Sequence, residues 1–264
     1  MLNINIYNES CIDCVRNDLE AHSVDCVVTS PPYGGGVHIL NQRTYDVHND
    51  HIDIDKYNKM CVDLFNGLDR VLKPNGVVCW NVSYNKQCSD QFILALASII
   101  QQTPFMIADV VTWKKSFATS LAESSNRLTR ICEHVYILVR KTDTDTFYCN
   151  KPMSSIASDG RPKYKNIFNY IEAKNTDGHT DLNLACFSTE FVVKMLALYC
   201  PPGGKVYDPF MGTGTTAKAC VNTNRPCVGS EISLKQCEYA KQRIDSLLGR
   251  VTIIKPEQTE NDKH

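Results

Sequence analysis

The stretch from Val206 to Glu231 constrains the fold of this chain more than any other part of the sequence. A strand is predicted at Lys205–Asp208, and a turn with glycines at positions 212 and 214 follows it. A helix-like segment follows, and a second apolar run lies at Cys227–Gly229. A strand, a helix and a second strand form a βαβ unit, the building block of α/β proteins with parallel sheets. The chain is therefore predicted to have an α/β fold.

Apolar runs elsewhere predict five more strands, most of them separated by helical patterns. The strands are expected at Ile4–Tyr7, Cys26–Thr29, Val77–Val82, Ala108–Trp113 and Val135–Val139. The clearest helix covers residues 55–73, where apolar side chains recur with helical spacing. Seven strands alternating with helices predict a doubly wound, mostly parallel, Rossmann-like sheet. The runs at 108–113 and 135–139 are joined by a loop, so they are expected to pair as an antiparallel terminal hairpin.

Length and composition agree with one domain that does not enter a membrane. The 264 residues suffice for a large α/β domain with a full core. Apolar runs are shorter than a membrane span, and Met1–Tyr7 lacks the pattern of a secretory signal. A cytoplasmic protein is therefore expected, with its 13 cysteines as free thiols. Cys11-x-x-Cys14 has no second pair at zinc spacing, so no metal site is expected there.

The glycine turn has the chemistry of a nucleoside-binding site. Gly212 and Gly214 allow the backbone to approach a ligand, and the following helix favours an anionic group at its first turn. Glu231, after the second strand, can bind a ribose diol. The turn lacks the Gly-Lys-Ser/Thr ending of a phosphate-binding loop, and Ala217 occupies the third glycine position of the dinucleotide fingerprint. A nucleoside without a pyrophosphate fits this pattern, and S-adenosylmethionine is the common one.

A second signature, Ser30-Pro31-Pro32-Tyr33, directly follows the Cys26–Thr29 run. The prolines fix φ and remove two backbone donors, which leaves carbonyl groups beside a hydroxyl group and an aromatic ring. Such a site can accept two hydrogen bonds from an amine and stack on a planar ring. The alternative is an ordinary turn at the end of a strand. Ligands of open α/β sheets bind beyond the carboxyl ends of the strands, which would bring both signatures together.

Together the two signatures resemble the amino-methyltransferase family of DNA-modifying enzymes, in the circular order that puts the catalytic motif before the cofactor loop. The resemblance extends over most of the chain and includes Leu72-Lys-Pro-Asn-Gly76-Val, Trp113-Lys-Lys, Arg130-x-x-Glu133-His134 and Ala185-Cys-Phe187-Ser188. The last of these has serine where the family has proline. The resemblance implies methyl transfer from S-adenosylmethionine to an exocyclic amine of a base flipped out of double-stranded DNA. Ser-Pro-Pro-Tyr is typical of N4-cytosine enzymes, whereas Asp or Asn in place of Ser30 is typical of N6-adenine enzymes.

The resemblance also implies roles for individual residues. Ser30 and the carbonyl of Pro31 would accept the two N–H bonds of the amine, and Tyr33 would stack on the base beyond Pro32. Cofactor contacts are expected from Asp208, Phe210, Gly212, Gly214, Thr215, Thr216 and Glu231. Phe187 either lines the same pocket or is a core aromatic. The family's Gly-Asp after the first strand is replaced by Glu9-Ser10, so Ser10 or a backbone group would bind the cofactor's adenine.

The resemblance divides a single domain, residues 1–250, into a catalytic half (1–140), a short DNA-recognition segment (141–181) and a cofactor-binding half (182–250). A polar tail, 251–264, follows and is expected to be frayed. The segment 141–181 shows no periodicity and holds Lys141, Lys151, Arg161, Lys163 and Lys165; the alternative is a polar surface connection. Other possible functions are N6-adenine methylation, methylation of RNA or of a protein amide, and DNA binding without catalysis. A cognate restriction endonuclease is a possible partner.

Overall fold

The computed structural model describes residues 2–32, 53–83, 90–118, 128–178, 186–248 and 251–255. The strands in this part of the chain are β1 (Ile4–Tyr7), β2 (Val24–Thr29), β3 (Leu72–Val82), β4 (Phe105–Lys115), β5 (Cys132–Arg140), β6 (Met153–Ile156), β7 (Pro162–Tyr164), β8 (Tyr170–Ala173), β9 (Val206–Asp208), β10 (Cys227–Ser230) and β11 (Thr252–Ile254). The helices are α1 (Cys11–Asp13), α2 (Ile54–Val71), α3 (Gln91–Gln102), α4 (Thr189–Tyr199), α5 (Thr215–Asn222) and α6 (Leu234–Leu248). A π-helical turn, Cys14–Asp18, continues α1.

The main sheet has the strand order β11-β1-β10-β9-β2-β3-β5-β4-β8. All neighbours are parallel except at β5, which runs antiparallel to both β3 and β4. The predicted α/β class, the mostly parallel sheet and the antiparallel hairpin are thus confirmed. The seven predicted strands form the centre of the sheet, and the short edge strands β8 and β11 extend it to nine among the described residues.

Both faces of the sheet are covered, as a doubly wound fold requires. Alternating side chains of β3 belong to different core clusters, with Val77 and Cys79 on one face and Val78 and Trp80 on the other. Helices α4, α5 and α6 pack on the first face, whereas α1, α2 and α3 pack on the second. The period-2 alternation of a strand and the apolar stripe of each helix account for this layering.

Helix α2 illustrates how local chemistry sets the boundaries of an element. Asp53 caps its first turn, since Asp53 Oδ1 accepts hydrogen bonds from the N–H groups of Asp55 at 3.0 Å and Lys56 at 3.3 Å. The predicted end at residue 73 was two residues too late, because Leu72 is already extended and begins β3. The buried side of the helix matches the predicted apolar stripe.

The segment 141–181 is more ordered than its sequence suggests. Strands β6 and β7 pair as an antiparallel hairpin, and β8 adds to β4 in parallel. Every side chain of β6 and β7 is exposed, so their sequences carry no apolar alternation. The lack of periodicity therefore did not mean a lack of secondary structure; positions 179–181 lie outside the described ranges.

The two ends of the described chain meet at one edge of the sheet. Thr252–Ile254 pairs with Asn5–Tyr7, so these three residues of the predicted tail belong to the sheet and are not frayed. The cysteines that the structure describes, among them Cys11 and Cys14, are free thiols. Burial raises the pKa of Cys11 to about 12, which disfavours the thiolate that a metal would need. Among the described residues no helix is long and apolar enough to cross a bilayer.

Candidate active site

The carboxyl ends of β2 and β9 lie side by side and bring the two sequence signatures together. Cys26 pairs with Val206 and Val27 with Tyr207, in parallel. Because the strands run in the same direction, the Ser30-Pro31-Pro32 turn and the glycine loop emerge at the same edge of the sheet. Ser30 is half-buried and Pro31 is buried there. Tyr33 lies outside the described residues.

Asp208 joins the two signatures directly. Its Oδ1 atom accepts hydrogen bonds from Thr29 Oγ1 at 2.6 Å and from the Phe210 N–H at 3.0 Å. Its Oδ2 atom accepts one from Thr216 Oγ1 at 2.5 Å. The residue is only 1% exposed, and burial raises the pKa of its carboxyl group to about 6, although the three hydrogen bonds lower it. Asp208 and Thr216 thus bind each other and hold the cofactor loop against the end of β2.

Glu231 shapes the glycine loop from the neighbouring strand. Its Oε2 atom accepts a hydrogen bond from the Gly212 N–H at 2.9 Å, and its Oε1 atom accepts one from the Ser233 N–H, also at 2.9 Å. Ser233 in turn caps α6, since its Oγ accepts from the Gln236 N–H at 3.3 Å. One carboxylate therefore fixes both the loop and the start of a helix.

Gly214 is required by packing. It begins α5 with φ of +82°, and a Cβ atom there would lie 2.8 Å from Ala240 Cβ of α6. From the sequence, Gly214 was expected to let a ligand approach the backbone. The structure shows that α6 packs closely against Gly214. The left-handed backbone and the contact each exclude larger side chains.

A carboxylate that the sequence analysis missed connects four segments around the loop. Asp177 accepts hydrogen bonds from the Thr189 N–H at 3.0 Å and from Arg243 Nη2 at 2.9 Å, and it pairs with Lys218 at 3.3 Å. Although burial raises the pKa of Asp177, the bonds from Thr189 and the charge of Lys218 leave it below its ordinary value. Arg243 also donates to Thr215 Oγ1 at 3.2 Å, so the Thr215 hydroxyl has a partner within the protein.

Phe187 belongs to the apolar core beside the site. It is 8% exposed and lies 5.8 Å from the ring of Phe191, which stacks on Trp113 at 4.3 Å. The serine that replaces the family's proline at position 188 has a clear local role. Ser188 Oγ accepts from the Phe191 N–H at 3.2 Å and so caps α4.

Ser10 lies after β1, at the same edge as Glu231. Its hydroxyl caps α1 by accepting from the Asp13 N–H at 3.1 Å, and it donates to Asp13 Oδ2 at 2.6 Å. The preceding Glu9 is partly buried, and this burial, followed by the negative charge of Asp18, raises its pKa to about 7.

A family model described as DNA methylase, of the N6/N4 type, matches residues 24–242. The chain belongs to this DNA methylase family. It is a DNA methyltransferase, and its methyl donor is S-adenosylmethionine. The match includes both signatures and the Asp208 hydrogen bonds that join them.

Individual relatives agree with the family assignment. The methylase is 28% identical to the type II methyltransferase M.SmaI of Serratia marcescens, over 86% of each chain. It is 24% identical to the type II methyltransferase M.MjaI of Methanocaldococcus jannaschii, over 82% of this chain and 83% of that one.

Solved structures share the fold of the methylase. The PvuII DNA methyltransferase, named as cytosine-N4-specific, matches with a TM-score of 0.63 and 16% identity over 96% of this chain and 95% of that chain. The M1.HpyAVI complex with S-adenosylmethionine matches with a TM-score of 0.61 and 22% identity, over 91% and 99%.

Three further polar residues lie at this edge of the sheet, near the ends of β3 and β4 and the start of the antiparallel β5. Asn81, near the end of β3, donates from Nδ2 to Glu133 Oε2 at 3.0 Å, and the other oxygen of Glu133 accepts from the Lys115 ammonium group. Lys115 and Glu133 fall within the Trp113-Lys-Lys and Arg130-x-x-Glu133-His134 segments. Both segments resemble the family in sequence, but the resemblance predicted no contact between them.

Proposed function

We propose that the methylase transfers a methyl group to the N4 amine of cytosine in double-stranded DNA. The proposal depends chiefly on one observation, which is that Asp208 ties the Ser30-Pro31-Pro32 turn to the glycine loop. An amine held at the turn and a methyl donor held at the loop would therefore be neighbours. Serine at position 30, where N6-adenine enzymes carry Asp or Asn, favours cytosine as the target.

The turn offers two acceptors to the exocyclic amine. Ser30 Oγ and the carbonyl of Pro31 accept its two N–H bonds, while Tyr33 stacks on the flipped base. The amine is a poor nucleophile because its lone pair is delocalised into the ring. Two acceptors push the nitrogen towards tetrahedral geometry, and fixed alignment with the donor can lower a barrier by roughly 7–11 kcal/mol. Serine is too weak a base to remove a proton first, so the proton leaves to solvent after transfer.

The loop offers a binding site for the nucleoside part of S-adenosylmethionine, which supplies an electrophilic methyl group when bound. Each carboxylate oxygen has two lone pairs, so Glu231 can accept ribose hydroxyls while it still binds Gly212 and Ser233. The other proposed contacts are Phe210, Gly212, Thr215 and Thr216 around the loop, Phe187 beside it, and Ser10 or a backbone group at the adenine. Asp208 and Gly214 support these contacts from within the protein.

The β6–β7 hairpin is proposed to recognise DNA. It protrudes as a separate two-stranded sheet and exposes Lys151, Arg161, Lys163 and Lys165 together with the ring of Tyr164. Arg161 pairs with Asp159 at 2.6 Å, but the arginine side chain is 84% exposed, and such pairs are weak. Lysines mainly contact phosphates, whereas an arginine released from its partner can read a guanine.

Nucleoside analysis by mass spectrometry tests the proposed target. DNA from a host that expresses the methylase should contain N4-methylcytosine, and DNA from a host with an empty vector should not. N6-methyladenine without N4-methylcytosine would assign the enzyme to adenine. Single-molecule sequencing of the same DNA should place the methylated cytosines in one short motif, as protection against a cognate restriction endonuclease requires.

A further inference from the structure

Asn81 lies level with Ser30 on the neighbouring strand. Strands β2 and β3 are parallel, with Val28 opposite Cys79 and Thr29 opposite Trp80, so the next positions are Ser30 and Asn81. Adjacent strands are about 4.8 Å apart, which is within reach of a hydrogen bond between a serine and an asparagine side chain on one face. Val28 and Cys79 share a core cluster, and Asn81 follows Cys79 on the same face of the sheet.

The Glu133–Lys115 pair fixes the orientation of the Asn81 amide. The two charged side chains are only 11% and 15% exposed. A carboxylate is solely an acceptor, so the amide must turn its NH2 group towards Glu133 Oε2. The carbonyl oxygen, Oδ1, is therefore directed away from the ion pair.

Asn81 Oδ1 is an acceptor without a donor. The residue is 2% exposed, and within the described part of the chain this oxygen has no hydrogen-bond partner. Buried polar atoms are almost always hydrogen-bonded, so an exception beside the Ser30 turn indicates a hydrogen bond that forms only when a ligand is bound.

The hydrogen-bonding capacity of Ser30 identifies the donor to Asn81 Oδ1. If Ser30 Oγ accepts an N–H from the target amine, the hydroxyl proton must be directed to another acceptor. A proton directed at the amine would instead oppose binding. Pro31 supplies its carbonyl to the second N–H, and Asn81 Oδ1 is an acceptor level with Ser30 that the described chain leaves without a donor.

We propose that Asn81 is a positioning residue, which accepts the Ser30 hydroxyl proton when the target base is bound. The hydrogen bonds then run in one direction, from the amine to Ser30 and from Ser30 to Asn81, whose own NH2 donates to Glu133. Each bond polarises the next, so the Ser30 oxygen becomes a better acceptor. This inference rests on the proposed role of Ser30 in binding an exocyclic amine.

A double-mutant cycle tests the inference by single-turnover methyl transfer to a DNA duplex that contains the mapped site. Ser30→Ala should lower the rate by a factor of roughly 100 or more, because an acceptor used in the transition state is lost. Asn81→Leu should lower it by a factor of roughly 10 or more in the Ser30 enzyme. In the Ser30→Ala background, Asn81→Leu should change the rate less than about twofold, because the hydroxyl that it orients is gone.

Control measurements distinguish a loss of positioning at Ser30 from a general loss of folding or of cofactor binding. Binding of S-adenosylhomocysteine by calorimetry should be unchanged in Asn81→Leu. Thr103→Val removes a buried hydroxyl at the opposite edge of the sheet, where Thr103 donates to Ile99 O at 2.6 Å, and should leave the transfer rate unchanged. Glu133→Gln is a second, milder variant. Its amide can donate to Asn81 Oδ1 and so reverse the Asn81 amide, which should slow transfer only in the Ser30 enzyme.

The outcomes distinguish this inference from the proposed function. Equal slowing by Asn81→Leu in both backgrounds would overturn the positioning role while leaving the role of Ser30 intact. A Ser30→Ala enzyme as fast as the wild type would instead remove Ser30 from the reaction, and the proposed chemistry with it.

Discussion

Glu231 accepts hydrogen bonds from backbone N–H groups with both carboxylate oxygens, and its proposed role is to bind the ribose of the cofactor as well. Glu231→Ala should weaken binding of S-adenosylhomocysteine by roughly 1.5–3 kcal/mol, since charge-assisted hydrogen bonds are lost. In calorimetry the dissociation constant should rise by a factor of roughly 10–150. Glu190→Ala, which removes a surface ion pair with Lys194 and a hydrogen bond from the Lys174 N–H, is the matched control. Equal affinity in the two variants would reject the ribose assignment.

Residues within one motif were predictable, whereas contacts between motifs were not. The glycine loop and the Ser30 turn could be recognised because their chemistry is local to a few adjacent positions. The Asn81–Glu133–Lys115 contacts join residues on three strands, separated by 52 and 18 positions in sequence. Only the antiparallel placement of β5 between β3 and β4 brings them together. The packing role of Gly214 likewise depends on α6, which follows β10.

At the scale of elements, strands buried on both faces were easy to predict and exposed strands were not. Most of the seven central strands contain continuous apolar runs, because helices cover both faces of the sheet. Strands β6 and β7 touch no core and have no such run. Their pairing is set by backbone hydrogen bonds and by the turn at Gly160, where φ is +84°. The sequence therefore did not predict the strands of segment 141–181, whose role in DNA recognition stays a proposal.

Gly160 and Gly214 have nearly the same φ, so comparing alanine substitutions at the two positions measures how tightly α5 packs against α6. Gly160→Ala incurs only the left-handed backbone cost of about 1–2 kcal/mol, because no atom lies within 4 Å of a Cβ there. Gly214→Ala incurs the same cost plus the clash with Ala240, so it should destabilise the protein by about 1–3 kcal/mol more. Urea unfolding of both variants measures the difference. Equal losses of stability would show that α5 and α6 move apart at no cost when a Cβ atom is added at position 214.

The lysines of the hairpin give a second prediction at this scale. Lys163→Ala with Lys165→Ala should weaken binding to every DNA sequence and reduce the salt dependence of log K by about 2, because two phosphates are no longer neutralised by the protein. Lys59→Ala is the control, since Lys59 is an exposed lysine of α2 that pairs with Asp63 at 2.8 Å. Salt titrations of binding decide the matter. An unchanged slope in the double variant would remove the hairpin from the DNA interface.

At the scale of the whole molecule, Asp208 connects the end of β2 to the glycine loop, and its ionisation is coupled to folding. Its pKa is about 6 in the folded protein, against an ordinary value of 3.8. The folded state therefore binds the proton more tightly, and this contribution to stability is lost as pH rises through 6. Between pH 4 and pH 7 this group should lower the free energy of unfolding by about 2 kcal/mol.

Asp208→Asn removes the titrating group and isolates this effect. The stability of the wild type minus that of the variant should fall by about 2 kcal/mol between pH 4 and pH 7. Denaturant unfolding at both pH values gives the difference, in which other titrating groups cancel. A difference independent of pH would show that Asp208 does not titrate in this range.

The strand order also dictates when the sheet can be completed. Strands β9 and β10 lie between β1 and β2, although about 180 residues separate β2 from β9 along the chain. A ribosome must therefore synthesise most of the protein before the middle of the sheet exists. Until then the inner edges of β1 and β2 lack their partners, and exposed strand edges promote aggregation. Such distant pairings also slow folding, so a nascent chain of this topology depends on protection of those edges until its last third emerges.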